Sequence, residues 1–269
     1  MIGVFDSGSG GLTVVRAIQK IAPQADILYL ADTANFPYGS KENEEIKRLT
    51  LRAVACLRAE GATTIVVACN SVSATVIRPM MEWLGVRQCD VIEMVGPAVE
   101  SLSRRGVKDA ALMATSATIR SGIYTAVARR RGIMLREIAV PTLAGLIERD
   151  VSVQEIASVI RHALGKVPCS SSHILLGCTH YPLVMEIWLS AVKACGRPLT
   201  VIDPVVAVAE DAIRVHGAQG SGVLRFVFTG PSETVLHHAG DAFGLVNENP
   251  ESVAKLPFVI ASDCKERGD

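Results

Sequence analysis

Short apolar runs rich in Val, Ile and Leu alternate with longer stretches of helical periodicity along most of the chain. That alternation predicts a mainly parallel sheet with crossover helices, an α/β fold. Strands are expected from Ile2 to Phe5, Ile27 to Leu30, Thr64 to Ala68 and Val91 to Met94. A second series is expected from Ala110 to Ala114, Leu135 to Ala139, His173 to Gly177 and Thr200 to Ile202, and two later candidates run from Arg225 to Thr229 and Phe258 to Ala261. Apolar residues fall on one helical face from Asn43 to Ala59 and from Val153 to Leu164.

Two of the strand-to-helix junctions match. TTIVVACNSVSA and SHILLGCTHYPL each carry an apolar run into a cysteine, then hydroxyl or amide residues, then a helical pattern, so Cys69 and Cys178 occupy equivalent points. DSGSGG after the first strand is likewise echoed by ATSATIRSG after the fifth. The echo predicts two pseudo-symmetric α/β units, each offering a hydroxyl-rich turn and a cysteine turn, so that the two thiols could face one small substrate. The late strands complete the first unit, giving a discontinuous domain of residues 1–95 plus 205–269 around an inserted 96–204. The expected crossings are GPAV at 96–99 and DPVV at 203–206.

Composition narrows the function. Lys plus Arg equal Asp plus Glu, and no basic stripe points to nucleic acid. No apolar run approaches the ~20 residues of a spanning helix, and the IGVF strand begins at residue 2 with no basic leader. A cytoplasmic protein is expected. Seven cysteines, an odd number with no CxxC, argue against a disulfide framework or structural zinc. Cys56 reads as a helix packing residue, and Cys89, Cys169, Cys195 and Cys264 lie near turns or element ends.

A thiol at a strand's carboxyl end beside a helix start is where open α/β folds place chemistry. The helix dipole and free N–H groups should lower the pKa of Cys69 from ~8.5. Asn70, Ser71 and Ser73 can cap that helix, which is expected to run toward Trp83, or bind substrate. Pro182 suits a first helical turn, and His180, two residues beyond Cys178, is either a packing residue or part of a catalytic pair. DSGSGGLTVV resembles a dinucleotide loop, with Asp32 ending the second strand, but Thr13 stands where the third glycine belongs. Small-anion binding by Ser7 and the loop N–H groups suits it better, with Ser9 near a helix N-cap. Pro37, Tyr38 and Gly39 could offer N–H groups and the Tyr38 hydroxyl to an anion. Thr115, Ser116, Thr118 and Ser121 read as helix capping or a second hydroxyl-rich wall. Glu148 ends an apolar helical turn and carries a weak functional signal.

FDSGSGGLTV, YLADTANFPYGSK, VVACNS, ATSATIRSGIY, LLGCTHYPL and the later FVFTGPSETV, in this order, resemble the glutamate racemase family. The resemblance implies glutamate enclosed between two α/β domains, and two-base proton transfer without pyridoxal phosphate, metal or other cofactor. It implies that Cys69 acts on the D-enantiomer with help from Asp6. Cys178 acts on the L-enantiomer with help from His180, and Glu148 is a further helper. Ser7, Asn70, Ser71, Thr118 and Thr179 would hold the amino and α-carboxylate groups, with Thr115 in the same wall; Pro37, Tyr38 and Gly39 would place the side-chain carboxylate. It further implies a homodimer and a role in supplying D-glutamate for peptidoglycan. The chain departs from the family pattern at Ser71 and Val72, where Thr-Ala is usual, and at Asn35, where a basic residue is common. No amino-terminal extension precedes the first strand, so activation by a cell-wall precursor is not expected. The alternatives are an aspartate racemase, a non-catalytic amino-acid-binding protein and, more distantly, a nicotinamide-dependent oxidoreductase.

Overall fold

Asp6 and Cys69 come together because β1 (Ile2–Asp6) and β3 (Thr64–Val67) lie side by side in parallel, Phe5 opposite Val67. In the computed structural model, which describes residues 1–83 and 90–242, these strands belong to the first of two parallel sheets. With β2 (Ile27–Ala31), β4 (Val91–Ile92) and β9 (Leu224–Phe228) they run in the order β4-β3-β1-β2-β9. β5 (Asp109–Ala114), β6 (Met134–Ala139), β7 (His173–Gly177) and β8 (Thr200–Ile202) form the second sheet, in the order β8-β7-β5-β6. Exchanging β1 to β4 for β5 to β8 turns one order into the other. The twofold echo in the sequence is therefore a repeat of topology, with β9 added beside β2.

Every residue of β1, β2 and β3 is buried, as expected of parallel strands covered on both faces. One face of the first sheet packs Val4, Tyr29 and Phe226 in one core, and the other packs Phe5, Leu30 and Val67. Each such side chain contributes roughly 1.5–3 kcal/mol on burial. The two strongest helical patterns form over their expected spans, Asn43–Ala59 and Val153–Leu164. Ser152 caps the second by accepting from the Glu155 N–H at 3.3 Å.

Two details differ from expectation. β4 ends before Glu93, because that carboxylate accepts from the Val95 and Gly96 N–H groups (2.5 and 2.7 Å) and starts the helix Val95–Arg104. The helix after Cys69 reaches Trp83 but widens into a π turn at Ser73–Ile77. Ser73 anchors that turn, donating to the Val67 carbonyl (2.9 Å) and accepting from the Met94 N–H (3.1 Å). π turns recur near functional sites because they re-aim a helix start. The strand expected from Phe258 to Ala261, with Cys89 and Cys264, lies outside the described residues.

Candidate active site

Parallel strands send all their carboxyl ends to one edge, so the loops after β1, β2, β3, β5, β6 and β7 converge. They enclose a cavity of about 190 Å³, lined by both Cys69 and Cys178. At ~30 Å³ per water it holds roughly six waters, the scale of a small metabolite and below the ~300 Å³ of drug-sized pockets. Ser7, Pro37, Tyr38, Gly39, Asn70, Ser71, Thr115, Thr179 and His180 also line it. Asp6, Glu148 and Thr118 do not; they stand behind the wall and bond to residues that form it.

Cys69 sits at the end of β3 just ahead of Asn70, with its sulfur 3.8 Å from the Ser7 hydroxyl. Burial, and then the charge of Asp6, push the thiol up to about 12, although the Val72 N–H and Ser7 oppose this. The lowered value expected from the helix start is therefore wrong: desolvation outweighs a few N–H dipoles. Asn70 accepts from Tyr124 Oη at 2.5 Å, and its buried Nδ2 has no partner among the described residues. That leaves a fixed amide NH2, with two N–H donors, on a cavity residue. Ser71, Thr115 and Thr118 form a hydroxyl chain with spacings of 3.0 and 3.1 Å, which ties the first sheet's cysteine turn to the second sheet's capping turn.

On the other wall, Gly177 lets β7 pack closely before Cys178, since a Cβ there would lie 2.7 Å from Leu112 Cδ1. His180 lies close enough to Cys178 to feel its charge and reaches Glu148 Oε2 through Nε2 at 2.8 Å. Burial disfavours the imidazolium, but Cys178 and Glu148 together hold its pKa well above the usual histidine range. Glu148 is held at about 2: burial opposes the carboxylate, and His180 and Ser9 overcome it. Asp6 is raised by burial, partly offset by the His180 charge, and accepts from Gly8 N–H and Thr179 Oγ1, each at 2.9 Å.

The glycine loop does bind a carboxylate, but one from the protein. Ser9 donates to Glu148 through both N–H (3.2 and 3.3 Å) and Oγ (2.5 Å), so it is no N-cap; Gly11 occupies that position. Tyr38 Oη donates to Asp32 Oδ2 at 2.5 Å rather than into the cavity, correcting its expected role as a ligand donor. Asn35 (2.9 and 3.1 Å) and Thr229 also donate to Asp32. Asp32 thus staples the loop that carries Pro37 and Gly39, a task unrelated to a ribose. Val72 is fully buried in the core beside Cys69.

Sequence reasoning passed over Phe36, Ser40, Pro141, Thr142, Ala144, Gly145 and Arg149, which complete the lining. It also passed over Tyr124 and His238, which bond to wall residues from behind. Nothing local marks these positions; the sole cue was the placement of residues 141–149 after a strand's carboxyl end.

A family profile described as Asp/Glu/Hydantoin racemase matches residues 2–212. The chain is 34% identical over 236 residues to the glutamate racemase of Aquifex aeolicus, covering 87% of this chain and 90% of that one. The structure resembles glutamate racemase from Thermus thermophilus in complex with β-chloro-D-alanine (TM-score 0.74, 32% identity, 92% of this chain and 94% of that one). It also resembles the Francisella tularensis glutamate racemase in complex with D-glutamate (TM-score 0.77, 25% identity, 90% and 93%). The chain belongs to the Asp/Glu/hydantoin racemase family.

In this racemase, hydroxyl, amide and thiol groups dominate the polar lining, and Arg149, at the exposed rim, is the one arginine or lysine among the lining residues. An anionic ligand would meet fixed donors at little reorganisation cost. Among the described residues, no three His, Cys, Asp or Glu side chains gather as metal ligands, and no helix is long and apolar enough to cross a membrane.

Proposed function

We propose that the protein interconverts L- and D-glutamate by proton transfer between Cys69 and Cys178, supplying D-glutamate for peptidoglycan from the cytoplasm. One observation carries the reading: two cysteines from equivalent turns of two sheets line a single small cavity. With L-glutamate bound, a Cys178 sulfur anion takes the α-proton, and the neighbouring His180 imidazolium supplies the positive charge that this anion needs. The electron pair passes to the α-carbon and its carboxylate, where Asn70 Nδ2, Ser7, Ser71, Thr115 and Thr179 supply donors. Cys69 gives its S–H proton to the opposite face and becomes the anion. D-glutamate runs the steps backward, with Cys69 as base and Asp6 as its helper. Burial favours the neutral Cys69 thiol, so the free enzyme is set to receive the L-enantiomer, and Cys69 must regain a proton after each turnover in that direction.

Pro37 and Gly39 would face the side-chain carboxylate on the stapled loop, and Thr118 would act through Thr115. Residues 1–95 with 205–269 would form one lobe and 96–204 the other, with the substrate between them; β9 beside β2 supports the return of the chain to the first lobe. A homodimer, implied by family resemblance, completes the proposal and is checked by light scattering. The deciding assay is coupled detection of D-glutamate from L-glutamate without added cofactor. Cys69→Ala and Cys178→Ala should each abolish turnover while preserving the circular dichroism spectrum. Near-normal turnover in either variant would defeat the two-base reading, and activity on aspartate alone would defeat the substrate. Failure of solvent deuterium to enter the α-position would point to a pure binder.

A further inference from the structure

Behind Cys178 a hydrogen-bonded chain runs outward to the helix Glu233–Ala242. We propose that Ser9 and His238 are positioning residues of this racemase, which act through Glu148 to orient His180 and so set proton transfer at Cys178. The proposal rests on the two-cysteine reading above.

The hydrogen positions follow from elimination. Glu148 is a carboxylate and can only accept, so Ser9 Oγ gives it its single proton at 2.5 Å. Ser9 Oγ then accepts from His238 Nδ1, which lies 2.7 Å away. That fixes the His238 tautomer with its proton on Nδ1, and burial, its strongest influence, keeps the ring neutral. From the other side, His180 Nε2 donates to the same Glu148 oxygen at 2.8 Å. Ser9 and His180 therefore donate to one carboxylate oxygen, His238 donates to Ser9 behind them, and the Glu148 charge, with Cys178, favours the protonated His180 ring.

Ser9, Glu148, His180 and His238 are all buried, so water does not readily replace a lost member. Neither Ser9 nor His238 lines the cavity, so any effect on turnover must pass through Glu148. The titratable groups facing His238 are Glu148, His180, His237 and Asp150. Those facing Glu148 and His180 include Asp6 and Cys178. The four members come from the loop after β1, the helix Leu143–Glu148, the turn after β7 and a helix 229 residues beyond Ser9. The helix Glu233–Ala242 is thus wired to the thiol of the other half.

The test uses Ser9→Ala, His238→Leu and His238→Asn, whose side-chain N–H can stand where Nδ1–H stood. Two readouts are taken: racemisation against pH, and the NMR titration of His180 in the free protein. Ser9→Ala and His238→Leu should lower kcat about tenfold, with KM within about threefold, since the first removes a hydrogen bond to the charged Glu148 and the second the bond that holds Ser9 in place to make it. Both should move the His180 midpoint and the alkaline limb of kcat down by roughly one pH unit. His238→Asn should restore most of both, and the double variant Ser9→Ala/His238→Leu should be little worse than Ser9→Ala alone. Wild-type kcat and an unmoved His180 midpoint in Ser9→Ala and His238→Leu would overturn the proposal. So would equal losses in His238→Asn and His238→Leu, which would make His238 a packing residue. Absence of racemisation in the wild type counts against the proposed function instead, and the His180 titration then still decides whether the chain exists.

Discussion

Glu148→Gln removes one charge from the buried pair with His180 while keeping the side chain's shape and one acceptor. The His180 and Ser9 partners hold the Glu148 carboxyl at about 2, well below the 4.5 of an ordinary glutamate. At 1.36 kcal/mol per unit this corresponds to ~3 kcal/mol, close to the ~3–5 kcal/mol that breaking a buried ion pair costs. The pH dependence follows from the direction of each shift. Glu148 is depressed, so its contribution is complete above about 4.5 and fades as the pH falls toward about 2. His180 is raised, so its contribution is complete below 6.5 and is lost as the pH climbs through its folded value. Urea unfolding should find the variant ~3 kcal/mol less stable near neutrality, with the gap narrowing below about pH 4.5. Equal stability near neutrality, or a gap that stays constant as the pH falls, would refute the reasoning.

Other changes probe the remaining walls. In Gly10→Ala the new Cβ would lie 2.5 Å from His180 Nδ1 and 2.6 Å from Thr179 Oγ1; displacement of either should cut kcat by on the order of tenfold to a hundredfold, and a wild-type rate would show that the turn after β7 adapts freely. Asp32→Ala releases Tyr38, Asn35 and Thr229 together; KM for glutamate should rise about tenfold with kcat changed less, and an unchanged KM would show that the loop needs no staple. Thr115→Val breaks the Ser71–Thr115–Thr118 chain and uncaps the helix Ser116–Ser121; a thermal melt should report ~1–2 kcal/mol of lost stability, and an unaltered melt would place the hydroxyl chain outside the stability balance.

Local pattern made the strands, the parallel class, the twofold repeat and the two cysteine turns legible, because burial of parallel strands and the spacing of turn residues are short-range properties written in consecutive residues. The span Asn43–Ala59 could be read from periodicity, and Cys69 and Cys178 from the apolar runs ahead of them. The hydrogen bonds behind those turns could not. Ser9 looked like a cap and is a donor to Glu148; Tyr38 looked like a ligand donor and is a staple on Asp32; His238 and Tyr124 carried no local mark at all. Cys69 was expected to be acidified by its helix start and is instead held neutral by burial beside Asp6. Each of these depends on which groups the packed chain brings together and on how much water is excluded where they meet. Hydrogen-bond partners and desolvation are properties of the packed arrangement: Ser9 meets Glu148, 139 positions away, only where the two halves touch, and meets His238, 229 positions away, only when the chain returns to its first half.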